Sequence, residues 1–316
     1  MKKRSPTPFE QCVAAPVLGV GLGIDVFDED TDYRTLIKDW RHAFDFLEVY
    51  TRGDWLHCEK ALQSLPRSVP RTYHHEGLDP VAPKLCPAST VEGCARNMLL
   101  LDTPWSVEEL AVRHIDGLYT DFFFPAILSE DAVKHTVRNL RALQSRLPRP
   151  LLPENAPYEF VIGDMHLLDF LREVAHGASM GVVLDLGHLL SYQYCVGKGD
   201  TPLDGIERMD LSRIIEVHLA GARLEDSPDK RPIYRDVHGG GPIPKESLWM
   251  LGELLPRLEN LKAITIEVES ASPQRCAEQL ALVRDVVKKA RPSWKAAVPA
   301  PEKRAKKPRK QAVGSS

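Results

Sequence analysis

At 316 residues the chain can hold one large α/β barrel or two ordinary domains. A composition of 43% hydrophobic and 27% charged residues supplies ample core, and no apolar run approaches the roughly 18 residues of a membrane span. The net charge of −3 is uneven. From Trp294 onward seven Lys/Arg stand against one Glu, a tail of +6 on a body of −9, and an acidic body argues against a surface built for nucleic acid.

The opening "MKKRSPTPFEQC" is basic with no apolar stretch behind it, so no signal peptide is expected and residues 1–15 read as a flexible lead-in. The six cysteines, Cys12, Cys58, Cys86, Cys94, Cys195 and Cys276, form no CxxC pair, which points to reduced thiols and a cytoplasmic location. Apolar, β-branched segments then recur at 17–23, 44–50, 71–75, 109–115, 150–155, 180–187, 213–221 and 262–269. Between them run helical periods: 129–147 with a Val133, Val137, Leu140, Leu143 stripe, 165–177 ending in a glycine suited to a C-cap, then 245–261 and 273–290. Eight strand signals alternating with helices predict a (β/α)8 TIM barrel over residues 16–292. A doubly wound sheet is the rival, but "GVGLGID" lacks the G-x-G-x-x-G spacing of a phosphate turn. The Lys-, Pro- and Ala-rich segment 293–316 is expected to be a disordered basic tail, a solvated appendage before it is a binder of an acidic partner.

The polar residues at the predicted strand ends carry the chemistry. Strand two ends near Glu48, strand three at His74 and His75, strand four at His114 and strand five at Glu154 and Asn155. Strand six ends at Asp185 with His188 beyond, strand seven carries Glu216 and His218, and strand eight Glu267 and Glu269. The loop after strand seven, "RDVHGGG", adds Asp236 and His238. In a barrel these positions share the rim where chemistry is placed. Each has an ordinary reading: His114 as a polar core residue, Asp185 as a helix cap, the glycine run as a turn. His42, His57, His135, His166 and His176 read as structural or surface residues. Taken together, so many carboxylates and imidazoles without competing Lys or Arg point to bound cations, because isolated buried carboxylates are prohibitively costly.

Ten candidate ligands exceed what one ion takes and suffice for two or three. Imidazole with carboxylate suits iron, manganese or zinc, so redox and hydrolytic chemistry both stay open. The stretch "LLPENAPYEF" fits a site of several ions: neighbours in a strand point to opposite faces, yet Glu154 and Asn155 can fan out to different ions if the chain bends there.

In series, "HHEGLD" (74–79), "RHIDG" (113–117), "PENAPY" (153–158), "LDLGH" (184–188), "EVHLAG" (216–221), "DVHGG" (236–240) and "TIEVE" (265–269) resemble the multinuclear non-heme iron-dependent oxidative enzymes. That family is typified by the methanobactin-biosynthesis iron oxidase. The resemblance covers roughly residues 16–290 and implies a xylose-isomerase-like barrel holding two or three irons of mixed valence, with O2 as co-substrate. It implies that His74 and His114 hold one iron with Glu154 bridging, that Asp185, His218 and Glu267 hold the neighbour, and that Asn155, His188, Asp236 and His238 hold a third. Glu216 would stand behind these ligands and orient them. Glu154, Asp185 and His218 would be the catalytic core. The implied reaction is oxidation of a cysteine, or of a residue near it, in a ribosomally made precursor peptide, with a separate partner protein gripping the leader. The chain departs from the family pattern at Ala222, where many relatives carry His, at "TDFFFPAILS" (120–129), and in having "PEN" where relatives have "LEN". Segment 222–235 is a candidate lid. The competing readings are a divalent-metal hydrolase or isomerase of the endonuclease IV or xylose isomerase type, and a partner-binding barrel without catalysis.

Overall fold

Buried parallel strands need apolar faces on both sides, and the eight recurring apolar segments provide them. The computed structural model describes residues 4–26, 32–52, 55–226, 232–268, 271–298 and 300–301. In chain order the strands are β1 (Gly19–Asp25), β2 (Leu47–Arg52), β3 (Arg71–Glu76), β4 (Ser106–Glu109), β5 (Ala111–Ile115), β6 (Leu118–Pro125), β7 (Leu151–Glu154), β8 (Val182–Asp185), β9 (Ile214–Ala220), β10 (Ala222–Asp226), β11 (Pro232–Asp236) and β12 (Ala263–Glu267). The helices are α1 (Pro8–Ala14), α2 (Tyr33–Asp39), α3 (Trp55–Ser64), α4 (Ala88–Leu101), α5 (Glu130–Gln144), α6 (Leu167–Ala178), α7 (Leu186–Cys195), α8 (Lys245–Leu254) and α9 (Pro273–Ala290). Eight strands close into a parallel barrel in the order β1-β12-β9-β8-β7-β4-β3-β2. Helix starts follow local chemistry: the Ser129, Asp185 and Ser272 side chains each accept a backbone N–H in the first turn, and Pro273 opens α9.

The main core lies between the strands and the outer helices. A smaller cluster, with Phe46, Trp105, Leu152 and Ile215, fills the barrel at the N-terminal ends of the strands. Residues 1–15, expected as a flexible lead-in, include α1, which has a capping box at Thr7 and Glu10 and seats Cys12 in that cluster. The first residues of the expected tail are packed onto the barrel. Trp294 is buried with its Nε1 donating to the Leu261 carbonyl, and Ala297 N–H donates to Val17 O. Residues 302–316 of that tail lie outside the described residues.

Two sets of glycines serve packing. In β1 a Cβ at Gly21 would stand 2.5 Å from the Phe46 ring, and one at Gly23 would stand 2.3 Å from Tyr50 Oη. The glycines that read as a weak phosphate turn therefore make room for Phe46, just before β2, and for Tyr50 within it. Gly177 is not the end of α6, which closes two residues later at Ser179 with φ 57. Its missing Cβ admits Val137 of α5, which would otherwise lie 2.6 Å away.

The fourth barrel strand is Ser106–Glu109, not 109–115. The more β-like residues Ala111–Ile115 pair antiparallel with β6 as a hairpin above the rim. A second hairpin, β10–β11, occupies the expected lid segment, with residues 227–231 outside the described ones.

Candidate metal centre

The barrel register brings the strand-end ligands to one level. His74 on β3, Glu109 on β4, Glu154 on β7, Asp185 on β8, His218 on β9 and Glu267 on β12 converge, all but fully buried. Asp236 and His238 descend from the end of β11 and the turn after it. A cavity of about 250 Å³ opens onto them, with Tyr50, Phe122, Phe123 and Tyr158 in its wall.

Two ligand groups stand side by side. In the first, His74 Nε2 lies 3.1 Å from Glu154 Oε2, while His218 Nδ1 lies 3.0 Å from Glu154 Oε1 and 3.5 Å from Glu267 Oε1. In the second, His188 Nε2 and His238 Nε2 each lie 3.1 Å from Asp236 Oδ2, and His238 Nε2 is 3.4 Å from Glu267 Oε2. Glu267 belongs to both groups, through one oxygen each. Glu154, Asp185 and His188 form a further grouping between them. Tyr50 Oη donates to Glu267 Oε1 at 2.9 Å. The His188 Nδ1–H donates to the Asn155 carbonyl at 2.7 Å, which leaves Nε2 for the second group.

With only the protein's own charges, this assembly is over-supplied with carboxylates. Burial alone would lower His74, His188 and His218, but the surrounding carboxylates outweigh it and raise all three, His188 to about 10. Burial would raise Glu154 and Asp236, yet the adjacent imidazoles hold both well below the usual carboxylate range. Charge is not balanced everywhere. Burial, reinforced by Glu154 and Glu76, pushes Glu109 up to about 7, and burial with Glu267, Glu154 and Asp236 does the same to Asp185. Asp185 Oδ2, Asp236 Oδ1 and Glu109 Oε2 are buried without a hydrogen-bond partner. Orphaned carboxylate oxygens beside convergent imidazoles are what a divalent cation satisfies. The donor set therefore fits metal.

The structure groups the expected residues differently from the resemblance. His74 stands with Glu154, His218 and Glu267, whereas His114 lies outside every ligand grouping among the described residues. His114 rides on the β5–β6 hairpin, where its Nδ1 pairs with Asp79 Oδ2 at 2.8 Å. Asn155 points away from Glu154, as neighbours in a strand should. Its Nδ2 donates to Asp185 O and its Oδ1 accepts from Asp185 N, both at 2.9 Å. Asp185 is both the cap of α7, through Oδ1, and a member of the site, through Oδ2. Glu216 lies one barrel layer below His218, with Trp105 Nε1 donating to it at 2.7 Å and Thr265 Oγ1 at 2.6 Å. Glu48 sits at that lower level too, because β2 runs on to Arg52. Glu269 lies outside the described residues. Sequence reasoning missed Glu109 and Tyr50 as members of the site. The pair Glu108–Glu109 after Trp105 was the available signal, hidden by placing strand four too late.

The family model for the RiPP precursor modification enzyme MbnB/TglH/ChrH matches residues 19–288. A UPF0276 protein of Neisseria meningitidis serogroup B is 29% identical over 167 residues, 52% of this chain and 56% of that one, so the match spans little more than half of that relative's length. A UPF0276 protein of Caulobacter vibrioides is 25% identical over 249 residues, 75% of this chain and 82% of that one. Among solved structures, a xylose isomerase domain protein from Planctomyces limnophilus has a TM-score of 0.55 at 15% identity, covering 87% of this chain and 99% of that one. A xylose isomerase-like TIM barrel protein from Mycobacterium smegmatis, in complex with magnesium, has a TM-score of 0.52 at 12% identity, covering 88% and 98%. At these identities the structural likeness shows the barrel fold. No helix among the described residues is long and apolar enough to cross a membrane.

Proposed function

Because the chain belongs to the MbnB/TglH/ChrH family of RiPP precursor modification enzymes, we propose that it is a multinuclear iron-dependent, O2-using enzyme that oxidises a cysteine, or a residue near it, in a ribosomally made precursor peptide. A separate protein would hold the leader of that peptide. The observation that carries the reading is Glu267, whose two oxygens face two different ligand groups, with Glu154 spanning His74 and His218 beside it. A carboxylate placed between two imidazole-bearing groups is suited to neighbouring ions rather than to one.

Bound iron would supply the thiolate affinity and the one-electron oxygen chemistry that no side chain in the cavity has. His74, His218, Glu154 and Glu267 would hold one ion, and His188, Asp236, His238 and Glu267 its neighbour, with Asp185 reaching the space between. The remaining residues prepare the cavity. Phe122, Phe123 and Tyr158 form its apolar wall and exclude water from the thiol's surroundings. Glu109 lines the same space, 3.8 Å from His74 Nε2, and its raised affinity for a proton suits it to accept one from an incoming thiol. Tyr50 fixes Glu267 by donating to one of its oxygens. A volume of about 250 Å³ admits a side chain, not a folded peptide, so the rest of the precursor would lie across the rim hairpins.

Metal analysis and Mössbauer spectroscopy of anaerobically purified protein test this reading, wild type beside Glu154→Ala. Two or three irons per chain with a magnetically coupled signal, lost in the variant, are expected. Stoichiometric zinc or manganese with no uptake of added iron would overturn it and move the search to hydrolysis or isomerisation.

A further inference from the structure

Beneath the two ligand groups lies a third cluster, Glu48, Glu216 and His218, wholly buried in the barrel. Its chemistry argues against another ion. Both oxygens of Glu216 already accept hydrogen bonds, from Trp105 Nε1 and Thr265 Oγ1, and Glu48 Oε2 accepts from Thr72 Oγ1 at 2.8 Å. A cation there would compete with donors, the Trp105 indole among them, that already hold the Glu216 oxygens. One oxygen is left over. Glu48 Oε1 and His218 Nε2 are each buried without a hydrogen-bond partner, and they face one another at 3.1 Å. Glu216 Oε1 is farther from the same nitrogen, at 3.7 Å.

We propose that Glu48 is the positioning residue of the centre: it takes the Nε2–H of His218 and so presents Nδ1 upward to Glu154 and Glu267, where the first ion would sit. The inference rests on the metal reading above, though not on iron, oxygen or a peptide. A ligand histidine whose second nitrogen is bound to a carboxylate has its tautomer and ring orientation fixed and becomes a stronger donor. The Thr72 hydroxyl, in register with Glu48 on the neighbouring strand, holds the carboxylate itself. Glu216, held by Trp105 and Thr265 and farther from the same nitrogen, buttresses the layer.

Zinc serves as the probe, since it is diamagnetic and needs neither O2 nor substrate. Wild type, Glu48→Gln, Glu48→Leu and Glu216→Gln are titrated with zinc against a chromogenic chelator. The histidine nitrogens of the zinc-loaded proteins are then read by ¹⁵N NMR. Wild type should coordinate through His218 Nδ1 with Nε2 protonated. Glu48→Leu should lose about 10- to 100-fold in zinc affinity, Glu48→Gln less because its amide oxygen still accepts, and Glu216→Gln less than Glu48→Leu. A merely structural Glu48 would move the melting temperature of the zinc-free protein and leave zinc affinity and the Nδ1 signal unchanged. That result, or coordination through Nε2 in wild type, overturns the assignment. Should Glu48→Leu fail to fold, the near-isosteric Glu48→Gln still decides. Wild type that binds no zinc would remove the metal reading and this inference together, whereas unchanged binding in the Glu48 variants removes only the inference.

Discussion

The Asn155 carboxamide clasps the backbone of Asp185, donating to its carbonyl and accepting from its N–H, each at 2.9 Å. This contact explains why a buried strand ends in Glu-Asn. Glu154 turns into the barrel toward His74 and His218, and Asn155 turns sideways to tie β7 to the start of α7. Asn155→Ala leaves the buried Asp185 N–H without its acceptor, at a cost of about 1–3 kcal/mol, and frees Asp185 to move. Chemical denaturation should show that loss even in protein stripped of metal. An Asn155→Ala protein of unchanged metal-free stability that nevertheless binds one ion fewer would instead make Asn155 a ligand.

Asp79 is a comparable fastening for the rim. At φ 49 it turns its carboxylate onto the β5–β6 hairpin, taking Arg113 N–H at Oδ1 and His114 Nδ1 at Oδ2, both at 2.8 Å. The same hairpin carries Phe122 and Phe123 into the cavity wall. His114→Ala should therefore keep the full metal content while loosening the hairpin, seen as faster amide exchange over residues 111–125. Loss of one metal equivalent in that variant would return His114 to the ligand set.

Metal uptake should be strongly pH-dependent, with a definite sign. In ion-free protein, burial opposes protonation of His74, His188 and His218, but the carboxylates win and raise the proton affinity of all three, His188 to about 10. Ligation requires neutral imidazole, so binding expels protons and affinity rises with pH. Each proton released steepens log K by about one per pH unit. Calorimetry in buffers of different ionisation enthalpy should find at least one proton released per ion at pH 7. The same groups set the opposite trend for ion-free stability. For His188 the contribution is full below its ordinary value of 6.5 and is lost as pH climbs through about 10. Proton-independent uptake between pH 6 and 8 would contradict both.

The barrel was legible because a parallel strand buried on both faces must be an apolar run, and eight such runs alternate with helical periods. Strand β4 escaped because it is four residues long and half of it is glutamate, while the hairpin behind it has the stronger β pattern. That displacement also moved His114 onto the rim on paper and hid Glu109. The convergence of His74, Glu154, Asp185, His218 and Glu267 followed from strand ends alone. The partner of Asn155 could not, since a backbone amide carries no residue type to recognise. Glu48 was read as a strand end, but β2 runs four residues farther and leaves it a layer below the two ligand groups.

Gly23 links the first strand to the chemistry. It pairs in register with Glu267 on one side and Glu48 on the other, and the space over its Cα is taken by Tyr50, the donor to Glu267. A Cβ added there would stand 2.3 Å from Tyr50 Oη and 2.7 Å from Cζ. Gly23→Ala must therefore shift the phenol or the strand, an overpacking that costs about 1–3 kcal/mol. In a Tyr50→Leu background the phenol that the added methyl would strike is gone, so most of that cost should vanish. A double-mutant cycle by urea denaturation should then give a coupling of about 0.5–3 kcal/mol. Additive effects would mean that the glycine serves the backbone rather than Tyr50. A Gly23→Ala protein that folds but no longer holds the Tyr50–Glu267 contact should also bind its ions less tightly, with the change concentrated in the carboxylate the two groups share.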